Sequence, residues 1–403
     1  MDLSLIRTSL AARRPHHALP QALYNSAEAF DFDLKAIFGQ SWLLAGFTAE
    51  IRKPGDYMAF SVGEWPVIIT RGRDGTVRAF HNSCRHRGSI LCENGHGNAA
   101  RLTCPYHRWT YDLDGRLLAA GRMPEDFDKG AHALSPVACE VVAGAIFVCL
   151  SDNPPPTATF REKLGMMLAP HNLGHAKLAH EATLTEHANW KLVMENAREC
   201  YHCPSGHPEL SVAFPINTSR YNRRDQDPAM IAFDARMAEL GLPSQQVGES
   251  WWDAARFPLN PGMKAMSMDG EFDVAKLMLE ADGGDTGSMR WALEPNVFCH
   301  STAEWTFAFI AMPVAPRETL VIAKWLVHED AVEGVDYHVD ELTDLWTRTN
   351  LQDKKLAEDN QSGVNSPGYR PGPYSHEAEP LVINFVDWYC DKSNAYLDAT
   401  THG

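Results

Sequence analysis

Two short stretches, Cys84-Arg85-His86 and, seventeen residues further on, Cys104-Pro105-Tyr106-His107, constrain this chain more than any other part of it. Two thiols and two imidazoles spaced as CxH and CxxH can hold a [2Fe-2S] cluster unevenly, with thiolates on one iron and imidazoles on the other. Replacing two thiolates with neutral imidazoles removes negative charge from the cluster and lifts its potential to roughly −150 to +300 mV. Such a centre passes one electron at a time. Structural zinc also takes two cysteines and two histidines, but its ligand pairs usually keep like with like. Here each pair mixes the two types.

The pattern around these ligands is that of a small antiparallel β domain. Short apolar runs at residues 57–62, 67–70, 77–80, 109–113 and 145–150 are punctuated by Lys53-Pro54-Gly55-Asp56, Arg73-Asp74-Gly75 and Asp114-Gly115. Each ligand pair falls at the end of a strand. Ahead of this domain, Phe30, Phe32, Leu34, Ile37 and Phe38 read as one face of a short amphipathic helix. Behind it, Pro154-Pro155-Pro156 interrupts any strand or helix. The expected division is 1–41 as a helical segment packing on the last domain, 42–152 as the cluster domain and 153–403 as a catalytic domain. In the last, helices are expected over 158–170, 190–203, 333–361 and 376–396, with strands over 180–184, 296–301, 305–313 and 320–327. The fold class is α+β, an antiparallel sheet flanked by helices. Residues 240–290 read as loop-rich and acidic, with a mobile insertion at Gly283-Gly284-Asp285-Thr286-Gly287.

Charge and cysteine usage narrow the function. A formal charge of −16 over 403 residues argues against nucleic acid or anionic lipid as a partner. Nine cysteines make an odd count for a disulfide framework, so a reducing, cytoplasmic setting is expected. No run of eighteen apolar residues predicts a membrane span. Arg13-Arg14 is followed by Pro15-His16-His17 rather than an apolar stretch, so twin-arginine export is not expected. In a reducing compartment the Asn217-Thr218-Ser219 acceptor is inert. Gly95-His96-Gly97-Asn98-Ala99-Ala100 matches a dinucleotide fingerprint by letter, but between the two ligand pairs there is no room for the strand, turn and helix it requires. Reducing equivalents from NAD(P)H must then arrive through another protein.

A second metal centre is suggested by Glu199-Cys200-Tyr201-His202-Cys203-Pro204-Ser205-Gly206-His207. On a continuous helix two histidines five apart would diverge by about 140°. Pro204 and Gly206 break the helix and allow the second imidazole to turn back. A carboxylate would complete the facial triad of a non-haem Fe(II) oxygenase, and a one-electron cluster needs such an acceptor. The cluster loops, Glu195-Asn196-Ala197-Arg198-Glu199-Cys200-Tyr201-His202 with His207, and the C-terminal helix together resemble the terminal oxygenase (α) subunit of the Rieske non-haem iron oxygenases over nearly the whole chain.

That resemblance implies Cys84 and Cys104 on one cluster iron, His86 and His107 on the other, and His202 and His207 on a mononuclear Fe(II) that uses dioxygen. Eight residues before Gln361, in the family's helix, stands Asp353 as the third ligand, with Asp359 as its competitor. Glu199 would bridge electrons from a neighbouring subunit's His107 to His202, Asn196 would lie just outside the ligands, and a head-to-tail trimer with inter-subunit electron transfer follows. A separate flavin or ferredoxin-type reductase is implied. Most ring-hydroxylating members carry aspartate where Glu199 stands. The glutamate and the Gly363–Ser375 tail lean towards the branch resembling choline, carnitine, glycine betaine and stachydrine oxygenases. N-demethylation of a betaine-like quaternary ammonium compound, of the stachydrine or glycine betaine type, is the expected reaction. The alternatives are hydroxylation or O/N-dealkylation of a neutral aromatic compound, C–N cleavage of the choline or carnitine type, and electron carriage without catalysis. Aromatic faces suit a trimethylammonium group, and Trp251, Trp252, Trp291, Trp305 and Phe307 are the candidates, each with a core role as the competing reading.

Overall fold

Short β-branched and aromatic runs separated by glycine-bearing turns build the smaller of two compact units, Phe38–Pro156. The computed structural model describes residues 3–216, 224–279 and 285–401; Asn217-Thr218-Ser219 and Gly283-Gly284 lie outside them. In the smaller unit β1 (Leu43–Phe47), β2 (Asp56–Val62), β3 (Trp65–Arg71), β4 (Val77–His81) and β5 (Gly95–Asn98) precede a small three-stranded sheet. That sheet consists of β6 (Leu102–Thr103), β7 (Thr110–Tyr111) and β8 (Leu117–Ala119), and β9 (Pro136–Val142) and β10 (Ala145–Cys149) follow it. The larger sheet runs β1-β10-β9-β4-β3-β2-β5 and its neighbours pair antiparallel. Gly95–Asn98, the dinucleotide look-alike, is simply edge strand β5 on β2. Gly97 lies against the Tyr57 ring, where a Cβ would come within 2.4 Å of the phenol oxygen.

The second unit joins Met1–Ile37 to Thr157–Gly403. Its boundaries fall a few residues from 41/42 and 152/153. The N-terminal segment is not one helix but three: α1 (Ser4–Ala11), α2 (Gln21–Asn25) and α3 (Ala27–Ala36). Ser26 separates the last two because its side chain caps α3 by accepting from Ala29 N–H. Seven antiparallel strands form the main sheet in the order β11-β17-β16-β15-β14-β13-β12. They are β11 (Ala176–Glu186), β12 (Val247–Glu249), β13 (Trp252–Phe257), β14 (Ser288–Leu293), β15 (Val297–Ser301), β16 (Trp305–Ala315) and β17 (Glu318–His328). The helices are α4 (Ala158–Leu168), α5 (Trp190–Asn196), the single turns α6 (Cys203–Gly206) and α7 (Leu210–Ala213), α8 (Pro228–Glu239), α9 (Val339–Val364) and α10 (Pro380–Thr401).

One expected element differs in a way that matters. The helix over 190–203 ends at Asn196, and Pro204 lies in the first turn of α6 rather than ending the preceding helix. Two side chains compete with helix propagation here. Arg198 is drawn away onto Glu294, and the Glu199 carboxylate accepts the N–H groups of Tyr201 and His202 that a helix would have paired with its own carbonyls. Opposite this break runs α9. Its buried positions, Leu342, Leu345, Trp346, Thr349, Asn350, Ala357, Gln361 and Val364, repeat every three or four residues and define its core stripe. Asp353 falls on that stripe, while Asp359 lies off it, exposed and paired with Lys355. Gln361 accepts from the Asn189 N–H at 2.8 Å and so ties α9 to the start of α5.

Candidate cluster and mononuclear metal centres

Two loops with one hydrogen-bond plan hold the four cluster-type side chains. In the loop after β4, Cys84 N–H donates to the Ser89 carbonyl and Gly88 N–H donates to the Cys84 carbonyl, both at 2.8 Å. Between β6 and β7, Cys104 N–H donates to Trp109 at 2.8 Å and Arg108 N–H donates to Cys104 at 3.1 Å. The fifth residue of each loop is left-handed: Gly88 at φ +76° and Arg108 at +63°. Glycine adopts this freely, whereas arginine costs on the order of 1 kcal/mol or more.

The plan puts both thiols inside and both imidazoles outside. Cys84 and Cys104 sit in the core with Leu102, Trp109 and Tyr111. His86 and His107 are exposed, with rings 4.6 Å apart and edge to face; His86 also stacks on Trp109 at 4.9 Å. Burial raises the Cys84 thiol. Burial opposes ionisation of Cys104 as well, but the Tyr106 N–H and Cys84 bring it down overall. Tyr111 Oη accepts from Arg85 N–H at 3.0 Å and lies 3.3 Å from Cys84 Sγ; once that sulfur is a cluster thiolate it has no proton to give, and the phenol O–H is the donor. This donor set, two buried thiols and two solvent-facing imidazoles, fits an asymmetrically ligated [2Fe-2S] cluster with its histidine edge open to an electron partner.

In the other unit three donor atoms converge. His202 Nε2 and His207 Nε2 are 3.0 Å apart, and Asp353 Oδ1 lies 3.2 Å from the first and 2.9 Å from the second. Ligands at right angles around one ion at about 2.1 Å stand roughly 3.0 Å apart, whereas tetrahedral ligands at that length stand roughly 3.4 Å apart. The observed triangle has the spacing that three ligands on one face of an octahedron would have. That is the arrangement which leaves the opposite face open.

Neighbouring side chains turn each donor inward. His202 Nδ1–H donates to Glu199 Oε1 at 2.5 Å and His207 Nδ1–H donates to Gln352 Oε1 at 2.8 Å. In the neutral rings both Nε2 lone pairs are thereby left for a cation. The Gln352 amide nitrogen donates to Glu209 at 2.9 Å, fixing which way the amide points. Asn196 donates to Asp353 Oδ1 at 2.7 Å. Burial disfavours charge on His202, but Asp353 and Glu199 outweigh it and push its pKa up to about 9. Asp353, against its own burial, is held below the usual carboxylate range by the two histidines. Cys203 Sγ also approaches the imidazole nitrogens, but it is bonded to Cys200 in a disulfide and is no free thiolate. The other seven cysteines are free.

The triangle lies on the wall of a cavity of about 650 Å³. Phe214, Phe257, Phe298, His300, Phe309 and Trp346 give that wall its aromatic part. His300 stands 5.3 Å from Trp346 and 5.6 Å from Phe214. Burial and the Arg290 charge hold its pKa down to about 3, so the ring is neutral. Glu186, also on the wall, is pushed up to about 8 by burial and by Asp353 and Glu358.

The aromatic residues expected from sequence are not the ones that face this space. Trp291 and Phe307 are fully buried and Trp305 nearly so. Trp291 points to the opposite side of β14 from the lining residue Arg290. Phe307 stacks on the back of Trp346 at 4.3 Å. Trp251 and Trp252 pack on Phe160 and donate to Glu249. Gln352, Phe298, Phe309 and Trp346 were missed. Gln352 carried a signal, its position beside Asp353, but the strand residues needed the pairing register to be found.

Residues 173–394 match the ring hydroxylating alpha subunit (catalytic domain) family, and residues 41–135 match the Rieske [2Fe-2S] domain. The chain is 44% identical over 403 residues to the glycine betaine monooxygenase oxygenase subunit of Chromohalobacter salexigens, covering 97% of this chain and 89% of that one. It is 32% identical over 272 residues to the carnitine monooxygenase oxygenase subunit of Acinetobacter baumannii, covering 63% and 71%. In three dimensions it superposes on a quaternary ammonium Rieske monooxygenase in complex with L-carnitine with a TM-score of 0.69 at 23% identity, covering 95% of this chain and 97% of that one. The corresponding values for naphthalene 1,2-dioxygenase from Rhodococcus are 0.68 and 19%, covering 96% and 97%.

Proposed function

Since this chain belongs to the ring-hydroxylating oxygenase alpha subunits and carries their Rieske domain, we propose that it oxidises an N-methyl group of a betaine-like quaternary ammonium compound and releases that carbon as formaldehyde. In this reading Cys84, His86, Cys104 and His107 hold the cluster, and His202, His207 and Asp353 hold the mononuclear iron. When bound, the cluster supplies electrons singly and the iron supplies activation of dioxygen.

The chain's own residues do the rest. Gln352 and Glu199 keep the ligand imidazoles in the tautomer that faces inward. Glu199, hydrogen-bonded to His202, receives the electron from the cluster edge of a neighbouring copy in a head-to-tail trimer, and a separate flavin or ferredoxin-type reductase feeds that cluster in the cytoplasm. The observation that carries the substrate class is the aromatic wall beside the triangle. A trimethylammonium group has no hydrogen-bond donor, and each aromatic face can contribute roughly 0.5 to 2 kcal/mol to holding it. Neutral His300 adds a face without adding repulsion. Carboxylates outnumber guanidiniums on the described wall, which favours a cation beside the metal triangle. The identity with glycine betaine monooxygenase oxygenase subunits supports the same class.

Insertion of one oxygen atom from dioxygen into a methyl C–H gives an N-hydroxymethyl group on the still quaternary nitrogen, the other oxygen leaving as water with two electrons and two protons. Loss of the hydroxyl proton then expels the amine with the C–N bonding pair and leaves formaldehyde. A single-turnover assay tests this. Iron-replete protein is reduced, the reductant is removed, and oxygen is added with one of a panel of betaines, carnitine, choline and aromatic amines. Formaldehyde matched by a demethylated betaine is expected. A ring diol, an aldehyde from choline or carnitine cleavage, or no product from any quaternary amine overturns the reading.

A further inference from the structure

The cavity wall carries three guanidiniums and, among the described residues, no lysine. A betaine brings a carboxylate as well as a cation, and a buried carboxylate needs charged or N–H donors. The three arginines differ in how they are held. Arg198 is gripped through Nε and Nη2 by both oxygens of Glu294, and Nη2 also donates to the carbonyls of Leu293 and Val297. Arg224 is gripped through Nε and Nη2 by both oxygens of Asp234. Arg290 alone is held at one nitrogen, Nη1 donating to Asp253 Oδ2 at 2.7 Å. One terminal nitrogen of each guanidinium is buried without a hydrogen-bond partner among the described residues, Nη1 of Arg198 and of Arg224 and Nη2 of Arg290, so what sets Arg290 apart is its tether at a single nitrogen.

Its place in the sheet suits a ligand reaching away from the metal. Arg290 on β14 pairs with His300 on β15, and the His300 ring lies against Trp346, which sits two turns before Asp353 on α9. Metal face, aromatic wall and guanidinium thus follow one another along the cavity. Building on the quaternary ammonium reading, we infer that Arg290 is the specificity-determining residue that receives the substrate's carboxylate on its free Nη2 edge. Asp253, itself on the cavity wall, holds the guanidinium through Nη1. The enzyme then distinguishes betaines from choline-like cations by this contact.

The test separates the two charges of the ligand by calorimetric titration of the iron- and cluster-loaded protein. Glycine betaine carries both charges, tetramethylammonium the cation only, and 3,3-dimethylbutyrate, the carbon isostere of glycine betaine, the carboxylate only. Arg290→Gln should weaken glycine betaine and 3,3-dimethylbutyrate roughly ten- to a hundredfold, the scale of a charge-assisted contact, and change tetramethylammonium less than about twofold. Arg290→Lys, which keeps the charge and loses the planar fork, should fall between wild type and Arg290→Gln. Demethylation of glycine betaine by Arg290→Gln should show a raised KM with kcat largely kept. Equal loss for all three ligands, or no loss for the two carboxylates, overturns the inference. Arg290-dependent binding of 3,3-dimethylbutyrate by a protein that ignores both quaternary cations would sustain the carboxylate site and sink the quaternary ammonium reading.

Discussion

Replacing Tyr111 by phenylalanine should lower the cluster's reduction potential by a predictable amount. The Tyr111 O–H points at Cys84 Sγ from 3.3 Å, and the residue is fully buried, so no water stands ready to replace it. A hydrogen bond to a ligating sulfur favours the reduced, more negative cluster. If that preference is worth about 0.5 to 1.5 kcal/mol, the loss for a one-electron couple is roughly 20 to 65 mV downward. The same oxygen accepts from Arg85 N–H at 3.0 Å. In the variant that donor is released and can partly compensate at the sulfur, which places the expected shift in the lower half of the range. Potentiometric titration of the cluster's visible absorption in wild type and Tyr111→Phe, with iron content measured on the same samples, reads the shift directly. A change below about 10 mV, or a rise, in a variant that keeps its cluster would refute the assigned donor direction.

Further outcomes follow from the second centre. Asp353→Ala should leave about two irons per chain, those of the cluster, whereas Asp359→Ala, altering an exposed residue paired with Lys355, should leave about three. Fe(II) binding should release protons near neutral pH. His202 in the metal-free site has its pKa raised to about 9, so it is charged at pH 7 and must lose that proton to ligate; affinity should rise about tenfold per pH unit up to pH 9 and flatten above it. A calorimetric titration in buffers of different ionisation enthalpy counts the proton, and pH-independent affinity would contradict the assignment. Trp346→Leu should raise the KM for a quaternary amine roughly two- to thirtyfold with iron content unchanged, the range of one cation–π face.

The parts of this fold that were legible in the sequence are those fixed by local chemistry. Mixed Cys/His pairs, proline runs and period-two apolar runs each act within a few residues, and the strands they announced lie within two or three residues of the observed β2, β3, β4, β10, β15, β16 and β17. Asp353 was reached only through the family resemblance, eight residues before Gln361, and the structure puts both on one stripe of α9. What escaped depends on pairing across the chain. Choosing Phe307 over Phe309 selected the right strand and the right face, yet only the register Phe298↔Phe309 and the seating of Trp346 on Phe307 decide which ring meets the cavity. Trp291 failed for a simpler reason. Arg290 beside it lines the cavity, and alternation sends the tryptophan the other way.

The helix expected to continue to Cys203 stops early because of Glu199, and the same residue shows why the stop belongs to the site. A helix continued through His207 would leave His202 and His207 about 140° apart. The Glu199 carboxylate instead takes the backbone N–H groups of Tyr201 and His202 and, with its other oxygen, His202 Nδ1–H. One side chain therefore competes with the helical path and sets the His202 tautomer that exposes Nε2, while the single turn α6 brings the second imidazole to within 3.0 Å of the first. Removing its charge would disturb local backbone and metal affinity together. The reach of a glutamate is used here: the acid spans from its own backbone position to three separate donors. A shorter acid would have to give up one of them.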